Sequence, residues 1–155
     1  MLWPFHFRNW ARRGVAVTPE ILEFELVTMR EVPDAPMADS KYRAIAHKDF
    51  MELGQQYLRK YGPYKSNIRD CDKFTAFYLA DIMWGWADCS GGDEALAFGF
   101  MEGKVRIPPC GTTPEKITGH RWVWQRDDQG KYWYLHAENN APMEWEILEI
   151  YGARG

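Results

Sequence analysis

One cysteine of this chain sits where thiol chemistry is plausible. Cys71 lies between Asp70 and Asp72, at the point where a helical pattern begins. The first turn of a helix leaves backbone N–H groups unpaired and carries the positive end of the helix dipole, so an anion is favoured there. A thiol so placed is drawn toward the thiolate, the nucleophilic form. The two carboxylates act in the opposite sense, because nearby negative charge raises a thiol pKa. They are harmless only where one caps the helix and the other meets a cation or points away. A plain buried cysteine is the commoner fate of the residue. Cys89, after the expected helix end, and Cys110, in a Pro/Gly loop, lack a polar setting of this kind.

A nucleophilic thiol needs a base, and the base needs a group to orient it. Asp127 to Lys131 reads as a hairpin corner with a three-residue loop, Asp128-Gln129-Gly130, and glycine at the left-handed position. Asp127 then faces Lys131, and continuing that register places His120 opposite Glu138. Directly opposed residues have Cβ atoms about 4.5–5.5 Å apart, close enough for an imidazole to meet a carboxylate. A two-residue Gln129-Gly130 turn would instead bring Asn139 opposite His120, and Asn can also orient an imidazole. His136, two residues before Glu138, is the rival base. His6 and His47 read as structural or exposed.

Trp84, Trp86, Trp122 and Trp124 are candidate groove walls, with ordinary core packing as the alternative for each. Trp122 and Trp124 share strand parity with His120.

The elements that must position these groups follow from periodicity. Thr18-Pro19-Glu20 is a helix start, with a capping side chain and then proline. Ile21 to Met29 fits either helix or strand. Val32 to Ala38 carries two prolines and reads as a loop. Phe50, Leu53, Tyr57 and Tyr61 recur at steps of three and four, which predicts a helix over Asp49 to Tyr61, ended by Gly62-Pro63. Cys71 to Trp86 is apolar on most faces and reads as a buried central helix. Ala95 to Met101 and Lys104 to Ile107 read as a hairpin about Glu102-Gly103. His120 to Arg126, Lys131 to Glu138 and Trp145 to Tyr151 read as strands. Helices first and antiparallel strands afterwards make an α+β layout.

Composition narrows the function classes. The chain has 155 residues, 46% of them hydrophobic and 26% charged, with a net charge of −3. That suits one domain and excludes disorder and a repeat array. No apolar run approaches the roughly 18 residues of a membrane span, and a mildly acidic chain is a poor match for a phosphate backbone, so no nucleic-acid partner is expected. Three cysteines cannot close a disulfide framework and suggest reduced thiols and a cytoplasmic setting. Residues 1–17 read as an N-terminal arm or strap, with Trp3, Phe5, Phe7 and Trp10 beside Arg8, Arg12 and Arg13. Residues 18–155 read as a single domain.

Asp70-Cys71-Asp72-Lys73-Phe74-Thr75 resembles the nucleophile segment of papain-like and transglutaminase-core cysteine enzymes. It is similar in particular to the "DCDDFA"-type segment of the cysteine-protease domain at the C-terminus of a mushroom agglutinin and of similar phage proteins. Gly119-His120-Arg121-Trp122 and Gly130-Lys131-Tyr132-Trp133-Tyr134-Leu135-His136-Ala137-Glu138 resemble its later strands, in the same order of Cys, His and acid. The resemblance covers residues 70 to 140 and hardly touches the first 45. It implies a papain-like α+β fold, with the nucleophile helix packed on an antiparallel sheet. It also implies a cysteine hydrolase of peptide or amide substrates, with Cys71 as nucleophile, His120 as base and Glu138 as orienter. It further implies a divalent cation, calcium or manganese, with Asp72 and Asn140 as the matching ligand positions, and a phage or prophage source. Position 139 is Asn where those families usually have Pro. No glutamine precedes Cys71 in a clear oxyanion position, which leaves Asn67 or the Cys71 N–H.

The expected reaction is thiolate attack on an amide carbonyl, proton transfer through His120 to the leaving amine, and hydrolysis of the acyl-enzyme. An acyl-transferase would use the same three residues with an amine as acceptor. The alternative is a non-catalytic protein on this scaffold whose aromatic residues grip a sugar or peptide.

Overall fold

The structure, a computed structural model, describes residues 13–66, 70–90 and 92–155. Asn67 and residues 1–12, most of the expected N-terminal arm, lie outside the described residues.

Strand β1 (Val15–Val17) leads into helix α1 (Pro19–Phe24). Thr18 caps α1: its hydroxyl accepts from the backbone N–H of Ile21 at 3.2 Å. The segment that read equally as helix or strand is helical throughout, because α1 runs on into a π-helical turn, Glu25–Met29. Strand β2 (Tyr42–Ala44) precedes helix α2 (His47–Tyr57), and helix α3 spans Cys71–Ser90. Strands β3 (Ala95–Leu96), β4 (Phe98–Ile107), β5 (Lys116–Arg126), β6 (Tyr132–Leu135) and β7 (Glu146–Arg154) complete the chain. The fold is α+β.

The strands form two sheets. The larger has the order β6-β5-β4-β7 and is antiparallel throughout. The smaller has the order β1-β2-β3, with β1 antiparallel and β3 parallel to β2. The expected hairpin at Glu102-Gly103 is corrected: β4 runs straight through it. A glycine inside a strand often marks a close backbone approach rather than a turn. Here a Cβ on Gly103 would lie 2.1 Å from the carbonyl oxygen of Glu149, and the pairing with β7 shifts register at Glu102/Gly103.

Alternation along β5 sends successive side chains to opposite faces of the sheet. Trp122 and Trp124 pack with Leu22, Leu26 and Met101 on one side. Val123 packs with Phe50, Tyr78 and Ile82 on the other. The larger sheet is therefore covered on both faces, by α1 and its flanking segments on one and by α2 and α3 on the other. Helix α3 is not buried all round, as its composition implied. Its buried residues, Phe74, Tyr78, Ile82, Trp86 and Cys89 among them, follow the three–four spacing of one face, and Met83 and Trp84 point to solvent.

Candidate functional site

Asp70 caps helix α3. Its carboxylate accepts from the backbone N–H of Lys73, and its carbonyl from Phe74 N–H at 3.0 Å. Asp72 meets a cation: its Oδ1 lies 3.5 Å from Nε of Arg121, a side chain that also pairs with Glu102. The arrangement that could spare the thiol is thus present on both flanks. The thiol of Cys71 is nevertheless pushed above its ordinary value, first by burial and then by Asp72 and Asp70; the backbone N–H of Arg121 pulls the other way. It donates to Asp72 Oδ1 at 3.7 Å. At neutral pH this group is a protonated thiol. Cys71, Cys89 and Cys110 are all free.

The hairpin corner has the expected register. Val123 pairs with Leu135 and Arg126 with Tyr132, the Asp127 N–H reaches the Lys131 carbonyl at 2.9 Å, and Gly130 has φ of 81°. The consequence drawn for His120 does not follow, because the ladder stops at Leu135. The chain then turns away, with the His136 N–H bonded to the Ala141 carbonyl and the Asn140 N–H to the His136 carbonyl. His120 consequently faces His136, ring centroids 5.5 Å apart, rather than Glu138. Trp145 closes the cluster, 5.0 Å from the first ring and 4.4 Å from the second.

Burial lowers both imidazole pKa values. That of His120 falls to about 4, with the neighbouring His136 as the second cause. That of His136 also falls, although the charge of Glu138 opposes the change. Both rings are neutral at pH 7. Glu138 is exposed in the turn after β6 and acts on His136 and on Tyr64. Tyr64 gave no sequence signal, yet it lies within the electrostatic reach of Cys71, Asp70, Asp72 and Glu138. Its phenol is raised first by desolvation and then by those four acidic groups.

Trp122 and Trp124 are fully buried and have no face to offer a groove; Trp84 is 71% exposed on the outer side of α3. The two positions matched to a cation are each engaged within the protein: Asp72 with Arg121, and Asn140 through the Tyr78 hydroxyl, which donates to its Oδ1 at 2.7 Å. Among the described residues, no group of three or more His, Cys, Asp or Glu side chains is arranged to hold a metal ion, and no helix is long and apolar enough to cross a membrane.

A groove that sequence reasoning missed lies beside this cluster. It encloses about 650 Å³ between α2, the segment following it, α3 and the turn that carries Glu138. Tyr61 and Phe77 form its aromatic wall, stacked at 4.2 Å between centroids and 23° between planes. Asp81, buried in α3, holds the segment in place: it accepts from the Arg59 backbone N–H at 3.0 Å and from the Tyr61 hydroxyl at 2.9 Å. Gln55, Glu138 and Asn139 supply polar groups around the opening. The periodicity of Tyr61 suggested a helix residue, but α2 ends at Tyr57, and that ending frees Tyr61 to turn onto Phe77.

No family model matches the chain, and no curated protein matches it. Solved structures do match. PSL1a in complex with E64 superposes with a TM-score of 0.64 at 16% identity, over 90% of this chain and 50% of that one. Polyporus squamosus lectin bound to the human-type influenza-binding epitope Neu5Aca2-6Galb1-4GlcNAc superposes with a TM-score of 0.66 at 15% identity, over 90% of this chain and 49% of that one. The chain spans about half the length of the chains it matches. At this level of identity the similarity is one of fold. It corrects the sequence-level assignment to the papain-like and transglutaminase-core cysteine hydrolases: the fold is shared with a lectin chain. The hydrolase and protease description falls with that assignment.

Proposed function

We propose that the chain is a non-catalytic saccharide-binding domain and that the groove beside α3 receives the sugar. The observation that carries this reading is the pairing of an aromatic wall, Tyr61 on Phe77, with a polar rim of Gln55, Glu138 and Asn139. A sugar ring has an apolar C–H face and a rim of hydroxyls. A groove with a few placed polar groups on an aromatic floor complements both. The wall is fixed before any ligand arrives, because Asp81 holds Tyr61 by its hydroxyl, which lowers the ordering cost of binding. The fold shared with a lectin supports the same reading.

The test is calorimetric titration of the purified chain with a sialylated and a neutral N-acetyllactosamine. Binding of either, weakened at least about tenfold by Phe77→Ala, is the expected result (about 1.4 kcal/mol). No binding of either glycan, or binding indifferent to Phe77→Ala, rejects the groove as a sugar site.

A second reading is favoured by one specific observation: the Cys71 sulfur lies at a helix start, against the backbone N–H of Arg121. In this reading the Cys71 sulfur attacks the side-chain amide of a glutamine as His120 takes the thiol proton, ammonia leaves with that proton, and an amine then takes the acyl group from the thioester and frees the thiol, with Glu138 orienting the imidazole. It requires His120 to exchange His136 and Trp145 for the thiol. Incubation with a glutamine-containing peptide and a labelled amine decides it: label transferred by the native chain and not by Cys71→Ala supports the reading, and no transfer removes it.

A further inference from the structure

We propose that residues 1–12 dock in the groove beside α3: the segment runs along α2 as a strap, sets its aromatic side chains against the Tyr61–Phe77 wall, and has to be displaced before a saccharide enters. The displacement rests on the saccharide reading above; the docking does not.

The root of the strap is fixed at α2. The Nη2 of Arg13 lies 3.5 Å from Oδ2 of Asp49, in the first turn of that helix. Strand β1 then carries the chain away toward α1, antiparallel to the strand that leads into α2, so the segment before Arg13 starts from the α2 end of β1. Asp49, Glu52 and Gln55 recur at steps of three along α2, so each lies beside the next on the helix surface. Gln55 borders the groove, together with Met51 and Leu58.

Reach and chemistry agree with that path. From Asp49 to Gln55 the helix rises about 9 Å, and three extended residues span about 10 Å. The third residue before Arg13 is Trp10, which in this arrangement meets the near end of the groove, and Phe7 reaches further in. Trp3, Phe5 and Phe7, at steps of two, share one face of an extended chain. Residues 1–13 carry Arg8, Arg12 and Arg13 and no acidic residue, which complements the carboxylates of Asp49 and Glu52 along the path. Met51, Leu58 and Phe77 give the groove apolar surface for ring burial. A tethered segment faces its site at an effective concentration on the order of millimolar, so a modest contact competes with a free sugar.

The experiment uses the full chain with photoreactive benzoylphenylalanine in place of Trp10, irradiated in dilute solution and mapped by peptide mass spectrometry. Crosslinks within one chain to the groove residues of α2, α3 or the segment between them are expected. Crosslinks confined to α1, crosslinks only between two chains, or none at all overturn the docking. The double variant Phe7→Ala, Trp10→Ala is titrated with neutral N-acetyllactosamine beside the native chain. Its affinity should be at least about fivefold higher, and equal affinities overturn the displacement. Where neither chain binds the glycan and the crosslinks are present, the saccharide reading falls and the strap stands.

Discussion

The rings of His120 and His136 face each other at 5.5 Å, and the carboxylate of Glu138 acts on the second ring and not on the first. The facing of His120 and Glu138 that the strand register implied is therefore replaced by a facing of His120 and His136. Cys71 lies against the backbone N–H of Arg121, and the ring of His120, the preceding residue, packs on His136 and Trp145.

The histidine pair makes stability depend on pH in a definite direction. The pKa of His120 is lowered on folding to about 4 from a reference near 6.5, so between these values the unfolded chain binds more protons. Stability is complete above pH 6.5 and is lost as pH falls toward 4, by up to about 3 kcal/mol from this group. Thermal melts from pH 7 to 4.5 should show a falling Tm in the native chain and a flatter profile in His120→Asn. Equal slopes in both would mean that His120 is not the titrating group.

The three thiols should differ in reactivity. Cys110 is exposed, Cys71 is half-buried with its thiol raised, and Cys89 is buried and close to the Tyr57 hydroxyl at 2.8 Å. Limited iodoacetamide labelling at pH 7, read by peptide mass spectrometry, should mark Cys110 first and Cys89 last. Labelling led by Cys71 would contradict the raised thiol and would favour acyl transfer over sugar binding.

Two tryptophans offered by sequence as equivalent groove walls should separate sharply. Trp122 fills the core at 0% exposure, and Trp122→Ala should cost about 3–5 kcal/mol. Trp84→Ala, on the outer face of α3, should change stability by less than about 0.5 kcal/mol. Urea melts of the two variants provide the comparison.

Gly85 sets the approach of α2 to α3. A Cβ there would come within 2.4 Å of the Tyr57 ring. Gly85→Ala should therefore lose about 1–3 kcal/mol, despite the better helix propensity of alanine. A stabilised Gly85→Ala variant in denaturant melts would show that Tyr57 can move aside at little cost.

Local chemistry made parts of this protein readable in advance. Thr18 and Pro19 start α1, and Asp70 caps α3 at Cys71. Asp127 and Gly130 fix the β5–β6 corner and its register. Each is an interaction between residues a few positions apart, so the sequence suffices. The length of a ladder, the side of a sheet and the partner of a buried ring depend on contacts between distant segments. Only the folded chain ended β6 at Leu135, carried β4 straight through Gly103 and set Tyr61 on Phe77. Trp122 and Trp84 are the same residue type, and neither position carries a local signal of burial. The packing of α1 against one face of the sheet and of α2 and α3 against the other made the first a core residue and left the second in water.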